Sequence, residues 1–550
     1  MAPRFSIITP VHDPPLGLLR ACLASIAGQT FRDWELCLVD DGSKSAGVRA
    51  ELRRQAARDP RVKLEERPVA GGIVAASNDS LTMATGEFVV LVDHDDLLEA
   101  HALELVDAAL RGDGEIDYVY TDEDKLDIDG TVRDTFYKPD WSPERLRAQN
   151  YCTHLSVLRR RIVEDVGRFR DGFDGSQDHD LILRVTERAR RVHHVPEVLY
   201  HWCVTPGSAA SDSADAPAAK PYAQEAGRRA VAAQMDRLGI PATVEHLATR
   251  GHYRARRARP EPPPPVTVIV ATRGEARPVW GVERPLVLGA VRSVLAVTDY
   301  PRLEVVVVVE GAAPPPVVDE LRTLDVRVVT AAGPWSRPER WNEGVRASNG
   351  QYVVLLDDDT LVEQPDWLDA ILGYFREPDV GAAGARLLSA DGTLQHGGFL
   401  LNTDPLPIFQ GFAADDPGAF GVLEIDREVS AVSGACLVTR RDLYDELGGF
   451  REEFDLDYAD VDYCLRVRRA GRRVIWTPHA TLYHFAPETL PAERSDLARL
   501  RERWGDELVH DPYGSPHFAP GQAVWLPAER ANLVAALRAT WRRWRFVGRA

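Results

Sequence analysis

Apolar and polar positions alternate between two rhythms over the first hundred residues. "FSIITP" (5–10) is a short apolar run and predicts a strand. Leu16, Leu19, Leu23 and Ile26 then recur at spacings of three and four, one face of a helix. "WELCLVDDGS" (34–43) predicts a second strand that ends in two acids and a turn, and "RVKLEE" (61–66) a third. A helical segment over Ile73–Met83 leads into "GEFVVLVDHDD" (86–96), an apolar strand closed by Asp93, Asp95 and Asp96. Strands alternating with helices predict an α/β fold with a mostly parallel, Rossmann-like sheet and helices on both faces.

The pattern then restarts. "RARPEPPPPV" contains four consecutive prolines, Pro262 to Pro265, the composition of an extended, semi-rigid spacer. Beyond it "VTVIVAT" (266–272), a helical Leu286–Leu295, "LEVVVVVEG" (303–311) and "DVRVVT" (325–330) repeat the earlier order. "GQYVVLLDDDT" (350–360) then matches "GEFVVLVDHDD" in position and character. Self-similarity at this scale means duplicated domains rather than a solenoid. The expected division is a first domain over 1–255, a linker over 256–265, a second domain over 266–495 and a helical extension over 496–550.

Three acids in four residues at a strand end repel one another unless a cation sits among them. Asp357, Asp358 and Asp359 close the second strand as Asp93, Asp95 and Asp96 close the first. A solvated acidic turn is the plain alternative for either cluster alone. Recurrence at matching places favours a divalent-cation site at the carboxyl end of a sheet, where open α/β folds bind ligands. Two further carboxylate pairs recur, Asp178 and Asp180 in "GSQDHDLILRV" and Asp460 and Asp462 in "YADVDYCLRV". Either pair also suits the first turn of a helix, where acids cap free N–H groups. His201 follows Asp178 by 23 residues, and His484 follows Asp460 by 24. A histidine at nearly the same offset in both halves is a candidate metal ligand.

This set of groups suits displacement of an anionic diphosphate. A cation held by Asp and His offsets the leaving group's charge, and a separate carboxylate takes a proton from the attacking hydroxyl. The chain carries neither a P-loop nor a Cys/His zinc spacing. A formal net charge of −18 argues against a nucleic-acid binder. Six cysteines with no C-x-x-C pair predict reduced thiols in a cytoplasmic protein. No signal peptide and no apolar run long enough to cross a membrane are expected.

Taken together, "SIITPVHDP", "LVDDGS", "ATGEFVVLVDHDDLL", "YTDEDK", "KPDWSPE", "GSQDHDL" and "VLYHW" resemble the family 2 inverting glycosyltransferases of GT-A fold. "YTDEDK", "KPDWSPE", "GSQDHDL" and "VLYHW" are similar to the tandem bacterial members that build O-antigen and other surface polysaccharides. "SGACLVTRRDLYDELGGFREEFDLDYADVDYCLRV" resembles the rhamnosyltransferase-like members. The resemblance implies nucleotide-sugar donors, a glycan acceptor of lipid-linked type, and Mg2+ or Mn2+. It implies that Asp40 and Asp41 contact the nucleotide base, and that Asp93 and Asp95 meet the ribose and the metal-bound diphosphate. Asp178 would be the general base and His201 would help hold the metal. In the second half the corresponding residues are Glu310, Asp357, Asp359, Asp460 and His484. Glu310 stands alone where the first half has two acids, a departure that bears on nucleotide recognition.

Two other readings stand beside this one. In the first, one half is catalytic and the other binds glycan or is structural. In the second, the chain is a sugar-phosphate nucleotidyltransferase, although no basic Gly-rich loop occurs in residues 1–30. "YTDEDKLDIDG" (120–130) reads equally as part of an acceptor region or as a solvated loop, and Trp141 as a sugar platform or a core residue. Near the C-terminus Leu533, Leu537, Trp541 and Trp544 share a helical face with Arg538, Arg542, Arg543 and Arg545 off it. That pattern predicts either peripheral contact with the inner face of the cytoplasmic membrane or packing on the second domain.

Overall fold

The computed structural model describes residues 2–204, 221–486, 494–519 and 521, so the amphipathic helix expected over 533–545 lies outside the described residues. The chain divides into two compact units. The first comprises Met1–Trp141, Gln149–Gly239 and Val244–Ala255. The second comprises Ser142–Ala148, Ile240–Thr243 and the chain from Arg256 onward. No helix among the described residues is long and apolar enough to cross a membrane.

Each unit is built on one mixed, mostly parallel sheet. In the first the strand order is Val62–Glu66, Trp34–Asp40, Phe5–Val11, Phe88–Leu91, Ser156–Arg159, Ile116–Asp127, Arg191–Val204, Leu97–Leu98. In the second it is Arg327–Ala331, Leu303–Glu310, Val266–Thr272, Tyr352–Asp357, Cys436–Arg440, Val380–Leu388, Arg473–His484, Thr360–Val362. The first four strands of each run parallel and the fifth turns antiparallel. These eight strands match in order between the two sheets, the GT-A arrangement made twice.

The central strands read as unbroken apolar runs because both of their faces are covered. In Val266–Thr272, Val266, Val268 and Val270 enter one core cluster while Ile269 and Ala271 enter the other. Helices Leu286–Val297 and Arg337–Arg346 contribute buried Val291 and Trp341 to those opposite layers. All six cysteines are buried and unpaired.

One detail fixes the acid-bearing strand in both units. Gly86 N–H donates to Ser6 Oγ (2.8 Å), whose hydroxyl donates to Glu35 Oε1 (2.6 Å). Gly350 N–H donates to Thr267 Oγ1 (3.0 Å), whose hydroxyl donates to Glu304 Oε2 (2.8 Å). The glycine is required by space. A Cβ on Gly86 would fall 2.8 Å from the carbonyl carbon of Phe5, and one on Gly350 would fall 2.5 Å from Thr267 N. We expect Gly86→Ala and Gly350→Ala each to lower the denaturant midpoint by an amount worth about 1–3 kcal/mol, the range for an overpacked site. Unchanged midpoints would show that the strand register does not depend on this close approach.

Candidate active site

In the first unit the strand Phe88–Leu91 runs beside Phe5–Val11 with Ile8 opposite Leu91, so Asp93 emerges just past the sheet's carboxyl edge. Its side chain is half exposed, at 52%. Asp96 is buried and fixed: its Oδ2 accepts from the Tyr200 hydroxyl (2.6 Å) and its Oδ1 from Cys203 N–H (2.8 Å). Burial pushes the Asp96 carboxyl up, and the neighbouring Asp93 adds to that. His154 completes the group, its Nε2 lying 3.9 Å from Asp93 Oδ2 and its ring stacked on Tyr200 at 4.5 Å. Ligand atoms of Asp93, Asp96 and His154 all lie within 4.8 Å of one another. Burial opposes charge on His154, but Glu123, 3.2 Å from Nδ1, raises the imidazole to about 9, with Asp93 and Asp96 adding to it. Lys138, fully buried, donates to the same Glu123 oxygen, Oε2 (2.9 Å).

Asp178 lies in the first turn of helix Gln177–Thr186, and its Oδ2 accepts from Asn150 Nδ2 (3.2 Å) and Thr153 Oγ1 (3.3 Å). It faces the same cleft as Asp93 and His154, lined also by Ile8, Ile73 and Thr153. Asp95 sits at the rim, 3.9 Å from His94 Nε2. Asp40 ends its strand and accepts from Ser43 N–H (3.0 Å). Asp41 anchors the loop ahead of helix Ile73–Met83: Gly71 and Gly72 N–H donate to its two oxygens (2.7 and 2.9 Å), and Arg67 pairs with it at 3.0 Å. His201 lies outside the Asp93 group, with Nδ1 2.6 Å from Asp124 and Nε2 3.0 Å from Glu99.

The second unit assembles its group differently. Asp357 ends the strand Tyr352–Asp357 opposite Ala271. His484 Nε2 lies 3.0 Å from Asp359 Oδ1 and 3.5 Å from Asp357 Oδ2, and its Nδ1 lies 2.5 Å from Gln395 Oε1. Asp357, Asp359 and His484 again fall within 4.8 Å. Burial opposes charge on His484, but Asp359 and then Asp357 raise it to about 10. Asp358 turns away to accept from Thr272 Oγ1 (2.5 Å), and burial, with Asp359 beside it, pushes its carboxyl up to about 7. Asp460 opens helix Ala459–Arg469 and accepts from Gly434 N–H (2.6 Å) and Val461 N–H (2.8 Å), while burial pushes its carboxyl up. Glu310 closes its strand opposite Ala331.

The sequence pattern did not single out His154, Glu123, Arg277 or Arg337. Matched offsets pointed to His201 and His484, yet the offsets differ by one residue, and in a strand one residue moves a side chain to the other face. In the first unit Tyr200 and Trp202 face the acidic group, through the Tyr200 hydroxyl on Asp96 and ring contacts of both with His154. His201 points away between them, and His154, from the loop before strand Ser156–Arg159, fills the place.

Residues 6–167 match the family described as "Glycosyl transferase family 2", and residues 263–506 match "Glycosyltransferase like family 2". The chain belongs to glycosyltransferase family 2. It is 36% identical to the uncharacterized protein y4gI of Sinorhizobium fredii, covering 94% of this chain and 58% of that protein. It is 34% identical to the O-antigen biosynthesis protein RfbC of Myxococcus xanthus, covering 94% of this chain and 40% of that one. The chain thus spans only about half the length of these relatives. A solved structure of S. aureus TarS residues 1–349 in complex with UDP-GlcNAc aligns with a TM-score of 0.36 at 19% identity, covering 42% of this chain and 66% of that one.

The raised imidazole of this family 2 member gives a sign to its pH dependence. A histidine whose folded pKa, about 9, exceeds its ordinary value near 6.5 stabilises the fold fully below 6.5 and loses that contribution as pH rises through 9. In metal-free buffer we expect wild type to exceed His154→Gln by about 3 kcal/mol at pH 6, with the gap closing by pH 10, measured by urea unfolding. A pH-independent gap would show that His154 is not held as an imidazolium.

Proposed function

We propose that this chain transfers sugars from nucleotide-sugar donors to a growing glycan of the cell-surface polysaccharide type, with one transfer site in each half. The observation that carries this is the pairing, twice in one chain of family 2, of a carboxylate–histidine group at a sheet's carboxyl end with a separate carboxylate on a helix's first turn. The name of the M. xanthus relative supports the polysaccharide assignment.

The donor sets fit a small divalent cation: carboxylate oxygens with one imidazole nitrogen suit Mg2+ or Mn2+. Asp93, Asp96 and His154 would hold it in the first half; Asp357, Asp359 and His484 offer the corresponding donors in the second, where Arg277 and Arg337 already pair with the two acids. When bound, it supplies positive charge opposite the departing diphosphate. Asp95 at the rim, Asp40 and Asp41, and Glu310 in the second half are the candidates for the nucleotide. His201, braced by Asp124 and Glu99, supports the wall behind Asp96 through its strand neighbours Tyr200 and Cys203. Asp178 and Asp460 take the proton as an acceptor hydroxyl attacks the anomeric carbon, the C–O bond to the diphosphate breaks, and the configuration inverts.

Asparagine can keep both hydrogen bonds at Asp178, which reach one oxygen, and one of the two at Asp460, which reach different oxygens, yet it cannot accept a proton. Asp178→Asn and Asp460→Asn are each expected to fold normally and lower transfer by on the order of 10²–10⁴. Each should leave a different truncated product, read by mass spectrometry. If Asp460→Asn yields the wild-type product at the wild-type rate, the second half is a binding or structural domain. If neither variant loses transfer, the assigned bases are wrong.

A further inference from the structure

The two halves neutralise their acids by different means. No guanidinium pairs with Asp93 or Asp96 among the described residues, and the cation facing Asp93 is His154. In the second half Arg277 Nη2 lies 2.9 Å from Asp359 Oδ2, and Arg337 Nη1 lies 3.8 Å from Asp357 Oδ2. Arg277 comes from a feature specific to that half, and Arg337 from a position that both halves share. The first half runs directly from strand Phe5–Val11 to helix Leu16–Ala27. The second inserts a hairpin, Ala276–Val279 with Val282–Pro285, between strand Val266–Thr272 and helix Leu286–Val297. Arg277 sits on that hairpin and is steadied by Phe485 O (3.2 Å). Arg337 is the first residue of the helix leading into the acid-bearing strand, the place taken in the first half by Ile73, which lines the cleft. Both arginine side chains keep about a third of their surface exposed, at 31% and 38%, although Arg277 Nε itself is buried.

An arginine fork matches a phosphate geometrically and is never deprotonated. It also competes with a divalent ion for the carboxylate it pairs with. The geometry points to a division of labour: the second half binds its diphosphate through Arg277 and Arg337 without a divalent ion, while the first half depends on the ion at Asp93, Asp96 and His154. This rests on the diphosphate reading above and makes it specific to each half.

The test uses the full chain and reads binding, not transfer. Mn2+ counted by electron paramagnetic resonance should show one tight ion per chain. Asp93→Asn should abolish it, and Arg277→Gln with Arg337→Gln should raise the count to two. In excess chelator, calorimetry with inorganic pyrophosphate should show one bound per chain. Its affinity should fall at least tenfold in the double arginine variant and stay unchanged in Asp93→Asn. Two equivalent Mn2+ sites in wild type, or pyrophosphate binding in chelator that ignores both arginines, would overturn the inference. Absence of sugar transfer with these binding counts intact would instead remove the transferase reading and leave the inequality of the two sites standing.

Discussion

The mutual repulsion of carboxylates at the end of a buried strand is the constraint around which each half is organised. Asp93 and Asp96, and Asp357 and Asp359, are brought within a few ångströms by backbone that cannot move, because the strands before them are covered on both faces. Such acids stay charged only beside a positive group. Each half supplies an imidazole for this, raised by the same carboxylates it faces. The sheet contributes direction: parallel strands deliver all these groups to one edge, where a ligand has room. Gly86 and Gly350 let the acid-bearing strand lie close to its neighbour, which sets where the acids emerge.

Duplication kept this constraint and changed its solution. The strand order is the same in both sheets, so the backbone offers equivalent places. The side chains filling those places differ. Strand parity turns Tyr200 toward the acids in one half and His484 in the other. An imidazole therefore reaches the first group from His154, while two guanidiniums flank the second. A duplicated fold can thus hold two acidic groups of different electrostatics at equivalent places.

Much of this was legible in the sequence. Unbroken apolar runs gave the central strands, and the doubled acids at matching strand ends located both groups, because each signal is local in the chain. Asp178 and Asp460 were readable for the same reason, as acids opening an apolar-periodic helix. What the sequence hid depends on contacts between distant segments. His154 stands in "NYCTH", which has no counterpart in the second half to draw notice, and it meets Asp93 only after the sheet closes. His201 looked equivalent to His484, but the one-residue difference in offset was the signal that it faces elsewhere. The resemblance implied that Asp41 contacts the nucleotide base, and the fold pairs its oxygens with Gly71, Gly72 and Arg67, partners distant in the chain. Arg277 reaches Asp359 by way of a hairpin that the first half lacks, and nothing in its local pattern marks it.

The central claim is that the strand-end carboxylates face the diphosphate of a sugar nucleotide. A crystal structure of the full chain soaked with Mn2+ and a nucleoside diphosphate tests it most directly, because anomalous scattering locates the ion and density locates the phosphates. The account predicts manganese among Asp93, Asp96 and His154, with the diphosphate beside it in the cleft that Asp178 faces. Nucleotide bound away from both acidic groups, or phosphates turned from them with the carboxylates in solvent, would contradict it.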